Sequence, residues 1–450
     1  MTTRFEVLSV VDDGLGHSSF VVGLGNETAL VIDPARFPDR QRQLAVTHGW
    51  QKLWTADTHS HADYISGSPE LAAQGATFLA SRGAGLEIPH QPVDPGTTIE
   101  LAPGIGLRAI ATPGHTPDHL AYLLEADGKP CALFSGGSLM VGALGRTDLL
   151  GDDRAEPLAR DLYRALRTEI LALPDDLRVY PTHGAGSFCS APQGASRTTT
   201  IGAERTTNPL LRIDDEDRFV KELLVGLGTF PRYFHELPER NRRGPHVYPG
   251  LPSLPVLDLL AVDQLRAEGA TLVDARSISA FARGHVRDSI SIELRPAFAS
   301  WLGWLIELDQ PLVFILDDAT DRAELVRQCL TIGHENLAGE LSGGAAAWTD
   351  AGRALQTIPL VGVEEGGTLL DVRQDGEWRS GHVPGAVHAE LATVDRMRLP
   401  NIPVTLMCGH GERAMTAASL LARRGVTGLS VLAAGPGDWS AATGRALTTT

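Results

Sequence analysis

Histidine and aspartate side chains that could bind a metal lie at three places in the first half of the chain. His59, His61 and Asp63 follow an apolar, strand-like run at alternate positions, so they gather near one strand end. His115 and His183 each lie in a turn that closes a later strand. Such turns can meet at one edge of a sheet sandwich, and imidazole is a ligand that suits Zn or Fe. The spacing therefore predicts a metal site built from these side chains.

A second reactive group lies near the end of the chain, where Cys408 joins a buried strand to a helix. The loop from Cys408 to Arg413 is rich in small residues, so its backbone can curl and present several N–H groups to the sulfur. The helix N-terminus and Arg413 add positive potential, which stabilises a thiolate. We predict that Cys408 is the nucleophile and that Arg413 is catalytic. Four loop residues are predicted to bind the sulfur substrate: Gly409, His410, Gly411 and Glu412.

Strands and helices alternate along the chain, which indicates an α/β protein. Apolar strands over 5–11, 18–24 and 29–33 begin a pattern that continues with interleaved helices to about residue 182. We expect two sheets covered by helices, an αβ/βα sandwich. A stretch rich in Pro, Gly and Arg near residue 250 resembles a linker and marks the first domain boundary.

The residues after this linker contain an internal repeat. Leu272–Arg276 recurs as Leu369–Arg373, and in each copy a His follows the Asp by eleven residues. The first copy has Leu316 and Asp321 where the second has its Cys and Arg, so it has neither the nucleophile nor the cation. Short strands that alternate with helices predict a parallel sheet in each copy.

Length and composition exclude several classes of protein. The 450 residues leave room for two to four domains, and 43% hydrophobic with 21% charged residues is ordinary for a globular protein. A formal net charge of −16 argues against nucleic-acid or membrane partners, which need a basic face. We find neither a signal peptide nor an apolar run of about 18 residues. Four widely spaced cysteines indicate free thiols, so we expect a cytoplasmic protein.

The order of the histidine motifs resembles the metallo-β-lactamase superfamily. The motifs that carry this resemblance are His-x-His-x-Asp at 59–63, Gly-His-Thr at 114–116 and Pro-Thr-His-Gly at 181–184. Three further segments resemble the persulfide dioxygenases within it: Gly145–Leu149, His183–Ser187 and Thr200–Arg205. The resemblance spans residues 4–245 and implies an αβ/βα fold with one Fe(II) held by two histidines and one aspartate.

The repeats resemble the rhodanese sulfurtransferases. In the second copy the resemblance covers 365–445, and the six residues from Cys to Arg match the sulfur-transferring branch, since phosphatase relatives have a longer loop. The first copy resembles an inactive rhodanese-homology domain. We therefore expect three domains: a metallo-β-lactamase-fold persulfide dioxygenase-like domain at 1–250, an inactive rhodanese-homology domain at 251–356 and a catalytic rhodanese domain at 357–450.

The chain departs from the metal-binding pattern of its relatives at two positions. The resemblance assigns the first two iron ligands to His59 and His115, but Gly137 stands where the aspartate ligand belongs. Tyr64 stands where binuclear relatives have a histidine. Because both changes remove ligands of a second metal ion, a binuclear hydrolase site is not expected.

A site made of three histidines could replace the missing carboxylate. His59, His61 and His115 are the expected set, with Asp63 and His183 as candidates for substituted or supporting ligands. Three imidazoles with open positions suit iron and also zinc. We expect one Fe(II) per chain, with Zn as the alternative.

The combined resemblance implies an enzyme of sulfide and persulfide metabolism. A persulfide of a low-molecular-weight thiol, glutathione or a similar compound, would be oxidised by O2 to sulfite. Cys408 would carry sulfane sulfur as a persulfide and form or use thiosulfate. The alternatives are a zinc thioester hydrolase of the glyoxalase II type with an accessory rhodanese, and a metal-free scaffold in which sulfur transfer alone remains. Relatives often self-associate, so a homo-oligomer is expected.

Overall fold

The computed structural model of the protein describes residues 5–184, 186–188, 196–363, 368–398 and 402–449. The chain divides into two compact units: one contains 1–251 and the short segment 329–333, and the other contains 252–328 and 334–450. Within the described residues, no helix has both the length and the apolar character that crossing a membrane requires.

The first unit contains two six-stranded sheets. The first sheet comprises, in spatial order, β1 (Glu6–Asp12), β2 (His17–Gly25), β3 (Thr28–Ile32), β4 (Lys52–Ala56), β5 (Thr77–Ser81) and β6 (Gln91–Val93). The second comprises, again in spatial order, β7 (Thr98–Ala102), β8 (Ile105–Ala111), β9 (Leu120–Ala126), β10 (Lys129–Gly136), β11 (Arg178–Pro181) and β12 (Thr199–Thr200).

The two sheets pack face to face around one apolar core. Phe20 and Leu30 of the first sheet and Tyr122 and Phe134 of the second belong to one cluster of buried side chains. Because helices cover its other face, β3 is buried along its whole length, and its sequence is continuously apolar after the first residue.

Helices cover the outer faces of both sheets. Leu71 of α2 (Ser68–Ala73) packs against the first sheet, together with the half-buried Leu44 of α1 (Asp39–Thr47). Leu162 and Phe219 pack against the second sheet. The helices of this side are α3 (Asp152–Ala165), which continues into a π-helical turn at Leu166–Ile170, α4 (Ile201–Thr207) and α5 (Glu216–Val225). A further helix, α6 (Leu237–Arg243), contacts the segment after β4, where Asn241 bonds to Ser66. Short 3-10 turns occur at Arg82–Ala84 and Arg232–His235. The predicted αβ/βα sandwich is confirmed.

The second unit contains two five-stranded sheets with the same strand order. The first comprises, in spatial order, β13 (Val256–Leu257), β17 (Leu337–Leu341), β16 (Leu312–Ile315), β14 (Thr271–Asp274) and β15 (Ile290–Ser291). The second comprises β18 (Leu360–Val361), β22 (Leu429–Leu432), β21 (Val404–Met407), β19 (Thr368–Asp371) and β20 (Val387–His388). The pairings between these described strands are parallel, which confirms the predicted fold class.

The helical segments of the two copies also correspond in order, except that α7 has no counterpart among the described residues. The first copy contains α7 (Leu259–Ala267), α8 (Ile278–Arg283), α9 (Phe298–Leu305), α10 (Arg322–Thr331) and α11 (Gly344–Asp350). The second contains α12 (Asp375–Ser380), a 3-10 turn at Leu391–Arg396, α13 (Glu412–Arg423) and α14 (Pro436–Thr443).

One buried ion pair recurs at the same place in both copies. Asp274 at the end of β14 pairs with Arg276 at 2.5 Å, and Asp371 at the end of β19 pairs with Arg373 at 2.7 Å. Each Arg also donates to a backbone carbonyl eight residues further along the chain, at 2.9 Å and 2.8 Å. These contacts belong to the framework of the fold, because both copies contain them.

Candidate functional site

Three histidine rings meet at the edge of the sandwich. His59 follows β4, His115 lies in the turn between β8 and β9, and His183 follows β11. The Nε2 atoms of His59 and His183 are 3.4 Å apart, and one ring nitrogen from each of the three lies within 4.8 Å of the others. All three side chains are buried. One metal ion, which binds imidazole nitrogen at about 2.0–2.1 Å, could contact all three nitrogens.

The hydrogen-bond partners of the Nδ1 atoms determine the tautomers of His59 and His115. His115 Nδ1 lies 2.8 Å from the carbonyl oxygen of Arg146, which can only accept, so Nδ1 carries the proton. His59 Nδ1 lies 2.8 Å from Thr58 Oγ1, and that hydroxyl donates its own proton to Asp33 at 2.7 Å. The hydroxyl must therefore accept from His59 Nδ1. Both rings leave their Nε2 lone pair for a ligand.

The third ring, His183, is oriented by a carboxylate. Its Nδ1 lies 3.3 Å from Asp63 Oδ2. Burial alone would raise the pKa of Asp63, but the charge of His183 and a hydrogen bond with it lower that pKa below its usual range. The contact places Nδ1 of His183 towards Asp63 and its Nε2 towards His59, the arrangement common for metal-ligating histidines. Asp63, a candidate ligand in the sequence, lies behind His183.

Burial also affects the protonation of His59. Burial, with the charges of the neighbouring imidazoles, lowers the pKa of His59 well below its ordinary value. His59 is therefore neutral at pH 7, and the neutral imidazole is the form that binds a metal.

His61 lies beside this cluster but is engaged elsewhere. Its ring centroid is 4.3 Å from that of His59, yet its Nε2 lies 3.2 Å from both Asp33 Oδ1 and the hydroxyl of Tyr64. Burial would lower the pKa of His61, but the Asp33 carboxylate raises it. The structure thus groups His59 and His115 with His183, whereas the sequence favoured His61 as the third member. Two further groups that could bind a metal include His61: Asp33, His59 and His61, and His61, Asp63 and His183.

Asp33 connects these groups, and the sequence analysis did not identify it. It follows β3 with φ of 49° and accepts from Thr58 N at 2.7 Å, from both the Thr58 and Thr182 hydroxyls, and from His61. Burial opposes its ionisation, but these donors and the His61 charge lower the pKa of Asp33 to about 2. Its oxygens are occupied by protein donors, so it supports the histidines. The sequence signal that could have identified Asp33 is its position directly after a fully buried strand.

His119 is a further buried histidine beside the cluster that the sequence analysis omitted. Its Nδ1 lies 2.7 Å from Thr112 Oγ1, and its Nε2 accepts the backbone N–H of Gly137 at 3.0 Å. Both ring nitrogens are therefore used within the protein. His119 holds the backbone at Gly137 and is not available as a ligand.

Two glycines enclose the His115 ring. A Cβ added to Gly137 would lie 2.9 Å from His115 Nε2 and closer still to Cδ2, and one added to Gly145 would lie 2.9 Å from Cγ. Atoms at such distances overlap. Gly137 is the position at which relatives are expected to have their aspartate, so the His115 ring occupies space that the aspartate side chain would need.

The overlap predicts the effect of a single methyl group at this position. Gly137→Ala should destabilise the first unit by about 1–3 kcal/mol, because the packed ring must move. Gly228→Ala is the matched control, since nothing lies within 4 Å of the added Cβ. Unfolding of both variants by urea should show a lower midpoint for Gly137→Ala alone; equal midpoints would contradict the described position of His115.

A small cavity opens beside His59 and His61. About 20 Å³ of it is open to a water molecule, and its walls include Asp118, Phe78 and Asn241. This volume suffices for roughly one water-sized molecule. Of the three clustered histidines, only His59 lines this cavity.

The predicted nucleophile lies at the other site, in the second unit. Cys408 follows β21, is 1% exposed, and its sulfur accepts the backbone N–H of Gly411 at 3.1 Å. Gly411 has φ of 110°, a conformation that favours glycine, and it precedes the first residue of α13. The loop therefore turns the Gly411 N–H and a helix N-terminus towards the sulfur, whereas the sequence predicted several N–H groups there. His410 is exposed, while Gly409 and Glu412 are half-buried.

Arg413 is held by a carboxylate on α12. Its Nη1 and Nη2 donate to the two oxygens of Glu377 at 2.5 Å and 2.8 Å. Burial alone would raise the pKa of Glu377, but Arg413 lowers it, so both partners are charged. Glu377 Oε2 also accepts the backbone N–H of Gln374 at 3.1 Å. Arg413 was predicted from the sequence, whereas the carboxylate that binds it was not.

Comparisons with known proteins find relatives for both units of the chain. The family model of the rhodanese-like domain matches residues 260–351 and 361–442. The human mitochondrial persulfide dioxygenase ETHE1 is 31% identical over 196 residues, which cover 43% of this chain and 70% of that protein. The hydroxyacylglutathione hydrolase of Anaeromyxobacter dehalogenans is 31% identical over 228 residues, covering 45% and 84%.

A solved structure matches a larger part of the chain. The crystal structure of a metallo-beta-lactamase from Staphylococcus aureus covers 75% of this chain and 99% of its own, with a TM-score of 0.68 and 27% identity. The match extends beyond the first unit, which comprises little more than half of the chain. The chain therefore belongs to the persulfide dioxygenase-like family of the metallo-β-lactamase fold, as an enzyme whose dioxygenase-like region is followed by two rhodanese-like domains.

Proposed function

We propose that the protein oxidises the persulfide of a low-molecular-weight thiol at one iron ion bound by His59, His115 and His183, and that Cys408 transfers sulfane sulfur. The observation that carries the first part is the convergence of one ring nitrogen from each of three buried histidines, whose Nδ1 atoms face Thr58, Arg146 and Asp63. Such a donor set fits a mononuclear metal with open coordination positions.

The residues of the chain fit this metal without the aspartate of the relatives. His183 supplies the third ligand, and Gly137 leaves space for the His115 ring. When bound, iron supplies the activation of O2 that protein side chains do not provide. The chain's own groups orient the rings, through Thr58, Arg146 and Asp63. The net reaction converts a persulfide, O2 and water into a thiol, sulfite and two protons.

Sulfur transfer is proposed to occur at Cys408. The Gly411 N–H and the N-terminus of α13 favour the thiolate and later the bound persulfide sulfur. Sulfane sulfur accepted by this thiolate can be passed to sulfite, which gives thiosulfate, or taken from thiosulfate in the reverse direction. The two activities thus share sulfite as product and substrate.

A second candidate function rests on the similarity to hydroxyacylglutathione hydrolases. Three imidazoles also suit zinc, which would favour thioester hydrolysis by a bound water. Tyr64 and Gly137, at positions that supply ligands to a second metal in binuclear relatives, make this candidate the weaker one. A metal-free scaffold with sulfur transfer alone is the remaining alternative.

Metal analysis combined with oxygen uptake tests the proposal. Protein purified without chelators should contain close to one iron per chain, consume O2 with glutathione persulfide and release sulfite. Glutathione thioesters should not be hydrolysed. Zinc with thioester turnover and no O2 uptake would establish the hydrolase instead, and protein without metal or O2 uptake would leave sulfur transfer as the remaining activity.

We also propose the division into three domains at residues 250 and 356, a cytoplasmic location and a homo-oligomer. The equal strand order of the two sheets in the second unit supports a boundary between the rhodanese-like copies. Glutathione or a similar thiol is the proposed carrier of the persulfide.

A further inference from the structure

The second rhodanese-like copy contains two ion pairs, of which one has a counterpart in the first copy and the other does not. The pair Asp371–Arg373 has its counterpart in the first copy, as described above. Glu377 is the third residue of α12, and the third residue of the corresponding helix α8 is Ala280. Asp321 precedes α10, at the place in the first copy that corresponds to Arg413. The Glu377–Arg413 pair is therefore absent from the copy that has no cysteine at the position of Cys408.

This difference indicates which ion pair belongs to the fold and which accompanies the reactive cysteine. Both copies form the same five-stranded sheet, so the fold does not need the Glu377–Arg413 pair. The pair occurs together with Cys408, and Leu316 takes the place of that thiol in the first copy. A carboxylate that binds the arginine beside a reactive sulfur is thus associated with the reaction.

The geometry leaves Arg413 able to bind an anion. A guanidinium has five N–H donors, and the bidentate contact with Glu377 uses two of them. The ring of Trp301, on α9 of the first copy, lies 5.6 Å from the guanidinium carbon. The Arg413 side chain is only 14% exposed. Its orientation is therefore fixed before any substrate arrives, and such preorganised donors bind developing or transferred charge most effectively.

We propose that Glu377 is a positioning residue for sulfur transfer, which holds Arg413 so that its remaining N–H groups bind the oxygens of thiosulfate or sulfite. The inference rests on the function proposed for Cys408. The Cys408 thiolate attacks the outer sulfur of thiosulfate, and a new S–S bond forms. The original S–S bond breaks, and its electron pair leaves with sulfite. Arg413 faces the sulfonate oxygens throughout.

Steady-state kinetics of Glu377→Ala test this role. The variant should raise the KM for thiosulfate about tenfold, the effect of disturbing a charged hydrogen bond, while kcat changes less because the nucleophile is intact. Glu377→Gln retains an oxygen acceptor and should give an intermediate KM. Arg379→Ala is the control on the same helix, since it removes an exposed pair with Asp375 and should leave KM unchanged. An unchanged KM in Glu377→Ala overturns the inference.

A double variant shows whether Glu377 acts through Arg413. If it does, Glu377→Ala should have no further effect on KM in the Arg413→Ala background. An equal effect in both backgrounds overturns the inference. Mass spectrometry of the wild-type protein after thiosulfate treatment shows whether a negative kinetic result refutes only the role of Glu377 or the sulfur-transfer function as a whole. If no sulfur is added to Cys408, the sulfur-transfer function and this inference both fall; if sulfur is added, the kinetic result judges the inference alone.

Discussion

Cys408→Ser abolishes the transfer of sulfur from thiosulfate to cyanide, with an expected fall in turnover of about a thousandfold or more. The serine hydroxyl fits the space but is not ionised at neutral pH, and oxygen cannot form the persulfide that carries the sulfur. The hydrogen bond from Gly411 then stabilises no thiolate. The measurement is thiocyanate formation at saturating thiosulfate.

The other cysteines serve as controls for this variant. Cys131→Ser removes a half-buried thiol of the first unit and should leave transfer unchanged. Cys329 is buried, and burial raises the pKa of its thiol, so it stays protonated and unreactive. Cys189 lies outside the described residues. If Cys408→Ser retained turnover, the nucleophile would be one of these other thiols. Metal content should be the same in Cys408→Ser as in the wild type.

His183→Ala should remove the metal from the first unit, lowering the content from about one ion per chain to nearly none. Two ring nitrogens then remain to bind the metal instead of three. Even a change in a group that only supports a metal ligand lowers metal affinity by about tenfold to a hundredfold. The quantity to measure is metal per chain after dialysis, by elemental analysis.

His61→Ala is the variant that decides between the two possible sets of three histidines. Its Nε2 is engaged by Asp33, so the change should lower stability but leave the metal bound. His48→Ala, at the exposed end of α1, controls for the loss of an imidazole. If His61→Ala empties the site and His183→Ala does not, the ligands are His59, His61 and His115, as the sequence alone favoured.

Much of the fold could be predicted because its signals are local. Apolar strands bounded by turns identified the sandwich, and the recurrence of Leu272–Arg276 as Leu369–Arg373 identified the second unit, since the Asp and Arg of that motif form the buried pair of each copy. Such short-range motifs can be read from the order of residues.

The choice of the third histidine depended on contacts that join distant parts of the chain. His61 is close to His59 in sequence, which favoured it, but Asp33, 28 residues before it, takes its Nε2. The orientation of His183 depends on Asp63, and that of His115 on a backbone carbonyl. In the sequence, Gly137 indicates the loss of a metal ligand. The packing of the His115 ring against Gly137 could not be predicted, because this contact depends on the positions of two separate turns.

The burial of Cys408 has a consequence for which molecules can exchange sulfur with it. Cys408 is 1% exposed, so we expect compact anions to reach its sulfur more readily than folded proteins or bulky disulfides. A persulfide formed there would be shielded from larger thiols in the same way. We therefore expect this loop to select sulfur donors by size as well as to supply positive potential.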